Sequence, residues 1–423
     1  MIDTEQAAIV KDVLALTQRA SPQRKAMIMI HGKPGTGKTT ILKSMLGTWE
    51  IMGFSVVVVA RTAKAVNVVF SRTKHEDCFT IDRLYTVCND RASALARNDR
   101  LIVVVDEFSM VDIVLMHKLL LMFPLALAFI MTGDANQLPP IGERSLMRTL
   151  MQSKSKKLHM FKLNRVYRQQ QPNAALTKVI DVLETKLHKE FPVVAQTDFP
   201  PNDSSFVHIQ DTKDDMVVRL ITKENVTVLV AFNETRKRIN RLVQQRINPE
   251  NQNSLRCLAN NKREEDKFEA FRIGDLVICE SNVYDSESGD LLCARGCLGY
   301  IKYIHEDQKT CIEYNNGFVD CYEHGRGFQS DFELAYAVTV DRAQGDEYPR
   351  VIVYLEKARK DGCNLLYTAV SRARNLCILV ATSETLYEMT KTSKRSKLIL
   401  VQFTLTLTAT NSPGAASDSA VPT

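Results

Sequence analysis

The sequence predicts an α/β fold, with parallel strands covered by helices on both faces. Apolar, β-branched runs recur in the N-terminal part of the chain, at residues 26–30, 55–60, 101–105 and 126–131. Between them lie segments with helical spacing, such as residues 38–51. Continuous apolar strands alternating with helices are typical of a parallel sheet buried on both faces. Polar clusters follow these strands directly, and in such sheets the loops at the carboxyl ends of the strands form the ligand site.

A second α/β set begins near Leu163. It is predicted to contain a helix, a strand and a basic helix, at residues 173–189, 226–231 and 236–246. Between residues 271 and 327, short strand-like runs interrupted by Gly and Asn predict a small β barrel inserted into this set. The α/β pattern returns at Leu334, and the Ser/Thr/Ala-rich tail is expected to be disordered.

Composition excludes a fibrous or largely disordered chain, since 45% of the 423 residues are hydrophobic and 25% are charged. A formal net charge of +6 permits a polyanionic partner without requiring one. The ten cysteines are sparse for this length, so we expect no disulfide framework and an intracellular, reducing compartment. No signal peptide is read, and the longest uncharged apolar run, residues 119–131, is too short to span a bilayer.

A phosphate-binding loop is the strongest motif. Residues 32–39 read G-K-P-G-T-G-K-T and match G-x-x-x-x-G-K-[ST], between a predicted strand and a predicted helix. Lys38 is expected to reach the β and γ phosphates, and Thr39 to offer a hydroxyl to Mg²⁺. A ligand-free Gly-rich turn is the weaker alternative because the loop is complete and in context. The predicted nucleotide contacts are Gly32, Pro34, Gly35, Thr36, Gly37, Lys38, Thr39 and Thr40.

An acidic pair follows the third apolar strand. Asp106 is expected to bind Mg²⁺, and Glu107 to position and deprotonate the attacking water. Acidic pairs at strand ends often only cap helices. The phosphate-binding loop favours the catalytic interpretation here.

Residues 132–140, T-G-D-A-N-Q-L-P-P, resemble the GDxxQLPP motif of superfamily 1 helicases. Together with residues 106–111, D-E-F-S-M-V, they are similar to the RecD/Dda/PIF branch, superfamily 1B, which includes PIF-like helicases of large DNA viruses. The resemblance extends over roughly residues 1–380. It implies two RecA-like P-loop NTPase lobes with a small SH3-like β-barrel insert in the second, and ATP-dependent 5′-to-3′ movement on single-stranded DNA.

The resemblance also implies roles for single residues. Gln6 would read the adenine edge, and Tyr167 would stack on adenine. Gln137, Arg168 and Arg372 would act on the γ phosphate with Lys38 and Glu107, since guanidinium groups neutralise its charge. Gly345 and Glu347 would join the nucleotide site. The implied nucleic-acid contacts are Thr62, Lys64, Thr80 and Thr339.

The chain departs from the family pattern at Asp82 and Asp341, where the family usually has His, and at Arg342-Ala343, where it has Lys-Ser. Carboxylates next to phosphates are unfavourable, so we expect weakened strand contacts at those points. The segment where relatives place a strand-splitting pin is short, which predicts a small pin or one supplied elsewhere.

Some features have open interpretations. The basic stretch that includes Arg236 and Arg246 could track phosphates or solvate a helix face. Cys293, Cys297, Cys311 and Cys321 are interpreted as small core residues rather than as a zinc site, because they lack Cys-x-x-Cys spacing.

The predicted organisation is lobe 1 at 1–162 with the pin region near 85–100, lobe 2 at 163–270 and 331–403, the insert at 271–330 and the tail at 404–423. The expected cofactors are ATP and Mg²⁺. We expect a monomer that binds single-stranded DNA and tailed or forked duplexes, with a replication or repair protein as a further partner and no membrane. DNA replication, repair or recombination is the expected setting. The alternatives are an RNA-directed superfamily 1 helicase and a non-catalytic NTP-binding subunit of a replication complex.

Overall fold

The computed structural model describes residues 2–86, 89–140, 145–153, 155–167, 175–187, 202–221, 226–249, 254–258, 268–281, 283–284, 291–293, 295–305, 309–314, 319–323 and 331–390. These residues form two compact units. The first unit contains residues up to Ala135 and from Pro139 to Tyr167, and the second contains Asn136–Leu138 and the residues after Tyr167 up to Thr390.

The first unit is a parallel six-stranded sheet with helices between the strands, in the order β3-β2-β4-β5-β1-β6. Its elements are α1 (Thr4–Gln18), β1 (Ala26–Gly32), α2 (Lys38–Ile51), β2 (Ser55–Ala60), α3 (Ala63–Thr73), β3 (Cys78–Thr80), α4 (Ile81–Thr86), α5 (Asn89–Ala96), β4 (Leu101–Asp106), α6 (Ile113–Met122), β5 (Ala128–Gly133), α7 (Leu146–Gln152) and β6 (Leu158–Leu163).

The strands of this sheet are buried on both faces, which explains their continuous apolar runs. Met29, Val57 and Val103 pack into a core on one face, and their neighbours Ile28, Val58 and Val104 pack into a core on the other. Successive side chains of a strand point to opposite faces, so an unbroken apolar run supplies both cores. The predicted parallel α/β fold is confirmed in this unit.

Trp49 anchors the helix that follows the phosphate-binding loop. It is the only tryptophan of the chain. Its side chain is fully buried on α2, and its indole Nε1–H donates to Thr17 Oγ1 on α1 at 3.1 Å. Burying a tryptophan requires a partner for its N–H group, and Thr17 provides one.

The second unit has a parallel five-stranded sheet in the order β18-β8-β19-β20-β7. Its elements are α8 (Ala175–Leu187), β7 (Phe206–Ile209), α9 (Asp214–Ile221), β8 (Thr227–Val230), α10 (Asn233–Ile247), β9 (Ser254–Leu258), β10 (Phe268–Arg272), β11 (Leu276–Cys279), β12 (Val283–Tyr284), β13 (Leu291–Cys293), β14 (Leu298–Ile304), β15 (Lys309–Tyr314), β16 (Val319–Glu323), β17 (Phe332–Leu334), β18 (Ala337–Thr339), β19 (Tyr348–Leu355), α11 (Gly362–Val370), β20 (Ala373–Ala381) and α12 (Ser383–Thr390).

An antiparallel region lies between α10 and β18. Five of its strands pair in the order β16-β15-β14-β11-β17, and β9 pairs with β10. The fully buried carboxylate of Asp275 ties this region to α10, because it accepts hydrogen bonds from Gln244, Asn248 and Tyr336. Burial raises the pKa of Asp275 despite these donors.

Cys311 and Cys321 face each other on β15 and β16 and form a disulfide. Their interpretation as small core residues did not include this bond, since strand pairing brings together two thiols that spacing alone does not link. Cys293 and Cys297 are not disulfide-bonded. No group of three or more His, Cys, Asp or Glu side chains suited to a metal ion occurs among the described residues. Within the same described ranges, no helix has the length and hydropathy needed to cross a bilayer.

Candidate nucleotide site and nucleic-acid residues

The phosphate-binding loop lies between β1 and α2 and is closed by its own hydrogen bonds. The Lys38 ammonium donates to the carbonyl oxygens of Gly32 at 2.8 Å and Lys33 at 3.0 Å. Gly35 and Gly37 have left-handed backbone angles, with φ of 81° and 84°, which side chains rarely adopt. A Cβ on Gly32 would lie 2.7 Å from Thr36 Oγ1. The glycines are therefore required by the shape of the loop itself.

The acidic pair lies at the end of β4, whose last residue is Asp106, beside the end of β5. Thr132 donates a hydrogen bond to the buried carboxylate of Asp106. Burial raises the pKa of Asp106, and the Thr132 hydrogen bond and the charge of Lys38 oppose this rise without cancelling it. The predicted carboxylate and the predicted lysine therefore interact electrostatically at the carboxyl edge of the sheet.

Glu107 has a left-handed backbone, with φ 49° and ψ 45°. A residue other than Gly in this region costs roughly 1–3 kcal/mol and is most often found at functional sites. It precedes a short 3₁₀ turn at Phe108–Met110, and a Cβ added to Gly133 would lie 3.2 Å from the amide nitrogens of Phe108 and Ser109. Tight packing of the β4 and β5 ends thus holds the glutamate at the strand terminus.

The residues predicted to contact adenine form hydrogen bonds to the phosphate-binding loop. Gln6 is buried, and its Nε2 donates to the Thr36 carbonyl at 3.2 Å. Its Oε1 accepts from the Asp3 amide in a capping box that begins α1. Tyr167 is 44% exposed, and its backbone amide donates to the Gly35 carbonyl at 2.9 Å. Gln6 and Tyr167 therefore contact consecutive residues of the loop. The side-chain amide of Gln6 also takes part in the capping box that begins α1, a structural role that sequence reasoning missed.

The predicted Arg372 belongs to the second unit and is 3% exposed. Its guanidinium donates to the Thr368 carbonyl, the Asp346 carbonyl and Ser371 Oγ at 3.1, 3.1 and 3.3 Å. Two further predicted nucleotide contacts flank Asp346. Gly345 has a φ of 84°, and Glu347 accepts a hydrogen bond from Arg374 Nε at 3.0 Å. Arg168 lies outside the described residues.

The loop carrying Gln137 is also part of the second unit. Asn364 Nδ2 donates to the Asn136 and Gln137 carbonyls at 2.8 and 3.2 Å, and Thr368 Oγ1 accepts from the Leu138 amide at 2.9 Å. Gln137 is buried, and its Oε1 has no hydrogen-bond partner in the part of the chain that the structure describes. Thr368 therefore contacts both the Gln137 loop and Arg372.

Two predicted nucleic-acid residues begin helices in the first unit. Thr62 Oγ1 accepts from the Ala65 amide at 3.2 Å and caps α3, which carries Lys64 in its first turn. Thr80 Oγ1 accepts from the Arg83 amide at 3.1 Å, at the start of α4. Because β2 and β3 pair in parallel, both threonines lie at the same edge of the sheet. Thr339 ends β18 in the second unit and is 6% exposed.

Both aspartates that depart from the family pattern are paired with an arginine. Asp82 forms an ion pair with Arg61 in the first unit. Asp341 accepts from Arg359 Nη1 at 2.6 Å and from Nη2 at 3.2 Å in the second. Sequence reasoning missed both arginines, because neither lies next to its partner along the chain. Each carboxylate is accompanied by a positive charge, which reduces the repulsion expected from a nearby phosphate.

Comparisons with known proteins find matches for the segments that carry most of these residues. A family model described as an AAA domain matches residues 1–188, and a UvrD-like helicase C-terminal domain matches residues 334–380. The ATP-dependent RecD2 DNA helicase of Deinococcus radiodurans is 28% identical over 365 residues, 82% of this chain and 46% of that protein. The chain spans less than half the length of the curated relatives it matches.

Solved structures show the same fold. Bacteroides Pif1 bound to ssDNA superposes with a TM-score of 0.60 at 19% identity, covering 95% of this chain and 96% of that one. Pif1 helicase from Candida albicans has a TM-score of 0.55 at 17% identity, covering 97% and 99%. The phosphate-binding loop, the acidic pair and the GDxxQLPP segment all lie within the residues that match the AAA-domain model, and the chain shares its fold with these Pif1 structures.

Proposed function

We propose that this chain is an ATP-dependent DNA helicase that translocates 5′ to 3′ along single-stranded DNA. The observation that carries the proposal is the arrangement of Lys38, Asp106 and Glu107 at one edge of the first sheet. The relatives add support, since the Deinococcus protein is a RecD2 DNA helicase and a Bacteroides Pif1 structure contains ssDNA. The replication, repair or recombination setting is part of the same proposal.

In the proposed reaction, Lys38 exchanges its loop carbonyls for the β and γ phosphates of ATP. Glu107 accepts a proton from the attacking water, and Gln137 contacts the γ phosphate. Arg168 and Arg372 would contribute guanidinium groups that neutralise developing charge, as phosphoryl transfer requires. Tyr167 would stack on adenine, while Gly345 and Glu347 complete the nucleotide contacts.

The residues present fit a magnesium ion. Asp106 supplies a buried carboxylate that already interacts electrostatically with Lys38, and Thr39 supplies a hydroxyl at the first turn of α2. Oxygen donors of this kind are the ligands that Mg²⁺ prefers. When bound, Mg²⁺ would neutralise negative charge on the phosphates.

We propose that Thr62, Lys64, Thr80 and Thr339 contact the strand mainly through phosphates, and that the antiparallel region is an SH3-like insert. The predicted domain boundaries, the monomeric state, a replication or repair partner and an intracellular, reducing setting remain predictions. Movement on a single strand requires little sequence preference, so we expect base stacking and phosphate contacts to dominate binding.

The test compares strand separation on matched duplexes with a 5′ tail, a 3′ tail or no tail, with Mg²⁺ and ATP. Glu107→Gln should lower the ATP turnover number at least about 100-fold, as loss of a general base does. The exposed Glu76 of the same unit provides the matched control, Glu76→Gln. Opening of only the 5′-tailed DNA, lost in Glu107→Gln, is the expected result.

Other outcomes would identify the alternatives. Opening from the 3′ tail would contradict the proposed polarity. Preferential opening of RNA-tailed duplexes would favour an RNA-directed helicase. Absence of turnover in the wild type, together with nucleotide binding, would favour a non-catalytic NTP-binding subunit.

A further inference from the structure

We propose that Asp3 is a positioning residue that holds the Tyr167 ring for stacking on the base of a bound nucleotide. The proposal rests on the nucleotide site proposed above and assigns a role to a residue outside the recognised motifs. It concerns base recognition only, and it leaves the phosphate contacts to the loop.

One carboxylate performs both parts of this role. Asp3 Oδ1 accepts from the Gln6 amide at 2.8 Å and caps α1. Its other oxygen, Oδ2, accepts a hydrogen bond from the Tyr167 hydroxyl. The start of the helix that carries Gln6 and the edge of the Tyr167 ring are therefore fixed by the same side chain.

Arg165 determines which face of the ring is available. Its guanidinium lies over the Tyr167 ring, 5.3 Å from the centroid, and its Nη1 is 3.8 Å from Asp3 Oδ2. With Arg165 in this position, one face of the ring is covered and the opposite face is left for a planar base. Because Tyr167 is 44% exposed, that stacking requires no rearrangement of a buried core.

Further contacts join this arrangement to the phosphate-binding loop. The Glu5 carboxylate accepts from Asn164 Nδ2 at 2.8 Å, which holds the segment before Tyr167 against the start of α1. The Tyr167 amide is bound to the Gly35 carbonyl at 2.9 Å. A base stacked on this ring would lie at a fixed distance from the phosphates, so less ordering is required when a nucleotide binds.

The role predicts a selective effect on affinity. Removing the Asp3–Tyr167 hydrogen bond should weaken ligands that carry a base and leave base-free phosphates unaffected. ADP and pyrophosphate provide this comparison, because both occupy the phosphate site and neither is hydrolysed at the γ position. Their dissociation constants can be measured by calorimetry on the full chain.

The variants are Asp3→Ser and Tyr167→Phe, alone and combined. Serine retains an N-cap oxygen but is too short to reach Tyr167, and phenylalanine retains the ring without its hydroxyl. Each should weaken ADP about three- to tenfold, the range that corresponds to one ordinary hydrogen bond, because the lost bond orders the ring and does not itself contact the ligand, with pyrophosphate within about twofold. The double variant should match the single variants. Asp12→Ser, an exposed aspartate on α1, is the control and should change neither ligand.

Different results would overturn the inference. Equal weakening of both ligands by Asp3→Ser would mean that Asp3 acts only through the helix and the loop. Unchanged ADP affinity in Asp3→Ser and Tyr167→Phe would exclude the positioning role. If Tyr167→Ala weakens ADP binding while Asp3→Ser and Tyr167→Phe do not, Tyr167 stacks on the base but Asp3 does not position it. If Tyr167→Ala also leaves ADP binding unchanged, the proposed contact between Tyr167 and adenine is wrong as well.

Discussion

The two carboxylate–arginine pairs, Asp341–Arg359 and Asp82–Arg61, differ in their surroundings. Asp341 and Arg359 of the second unit have side chains that are 22% and 21% exposed. Arg359 also binds both oxygens of Asp361 at 2.6 Å. Asp82 and Arg61 of the first unit have side chains that are 64% and 40% exposed. The Asp341–Arg359 pair is thus partly buried in the packing, and the Asp82–Arg61 pair lies at the surface.

The difference shows that the same kind of ion pair has different consequences when it is partly buried and when it is exposed. Burial lowers the pKa of Arg359, but the carboxylates of Asp361 and Asp341 outweigh burial and raise it overall. A partly buried charge depends on its partners, whereas an exposed pair contributes about 0–1 kcal/mol to stability. We therefore expect the second pair to affect folding and the first to affect nucleic-acid binding.

The largest effect is expected from Arg359→Ala. It leaves Asp341 and Asp361 close together without their cation. Breaking a fully buried pair typically costs about 3–5 kcal/mol, which is the upper limit for this partly exposed pair. The measurement is the free energy of unfolding from urea titration. Lys360→Ala, an exposed neighbour, should change it by less than about 0.5 kcal/mol. A loss below about 1 kcal/mol for Arg359→Ala would show that the pair is no more important than a surface pair.

The next effect concerns the pH dependence beside Asp341. Arg342 pairs with both Glu280 and Glu333, and Glu333 also pairs with the buried Arg236. Burial raises the pKa of Glu280 to about 7, against the attraction of Arg342. Between the unfolded pKa of about 4.5 and about 7, the folded protein binds a proton that the unfolded chain has released. Stability should therefore fall as pH rises through this window.

Glu280→Gln should remove that fall, because glutamine does not ionise. Relative to wild type, the variant should gain stability between pH 5 and pH 8, by at most roughly 3 kcal/mol. Thermal unfolding at both pH values measures this difference. Parallel pH profiles for the two proteins would exclude a raised pKa at Glu280.

Asp341→Asn should have a moderate effect, because Arg359 keeps Asp361 as its partner. Losing hydrogen bonds to a charged group costs about 1.5–3 kcal/mol, and we expect the lower end. Asp82→Asn is the matched substitution at the exposed pair and should change stability by less than about 0.5 kcal/mol. Urea titration of both variants tests the comparison directly. Equal losses would contradict it.

The smallest stability effect, but a measurable binding effect, is expected from Arg61→Ala. If Arg61 contacts a phosphate, the slope of log affinity for single-stranded DNA against log salt should fall by about 0.7. Asp82→Asn should instead strengthen binding modestly, because it removes a negative charge beside the predicted Thr80 contact. Fluorescence anisotropy at several salt concentrations measures both changes. An unchanged slope in Arg61→Ala would place this pair outside the strand path.

Local chemistry made much of this structure predictable. The α2 and β2 bounds coincide with the predicted residues 38–51 and 55–60, because a glycine loop and a β-branched run define those elements directly. The phosphate-binding loop and the acidic pair were also predicted, since each is a contiguous motif beside a strand.

What could not be predicted depends on contacts between distant segments. Gln6 meets Thr36 and Tyr167 meets Asp3 only after the sheet has brought those segments together. The Arg359–Asp341 pair and the Cys311–Cys321 disulfide likewise follow from strand order and register. A single sequence contains no signal for such pairings, because periodicity reports which face a residue occupies and not its neighbour on that face.

The buried Trp49 beside Thr17 has a practical consequence for separating the two units. Because Trp49 is the only tryptophan of the chain, fluorescence excited at wavelengths that tyrosine does not absorb reports on the first unit alone. Circular dichroism, by contrast, follows the helices of both. In Arg359→Ala the two signals should no longer change together during denaturation. Ellipticity should begin to fall at a lower denaturant concentration than the one at which the indole emission shifts. The unit that contains the phosphate-binding loop thus carries its own fluorescent reporter.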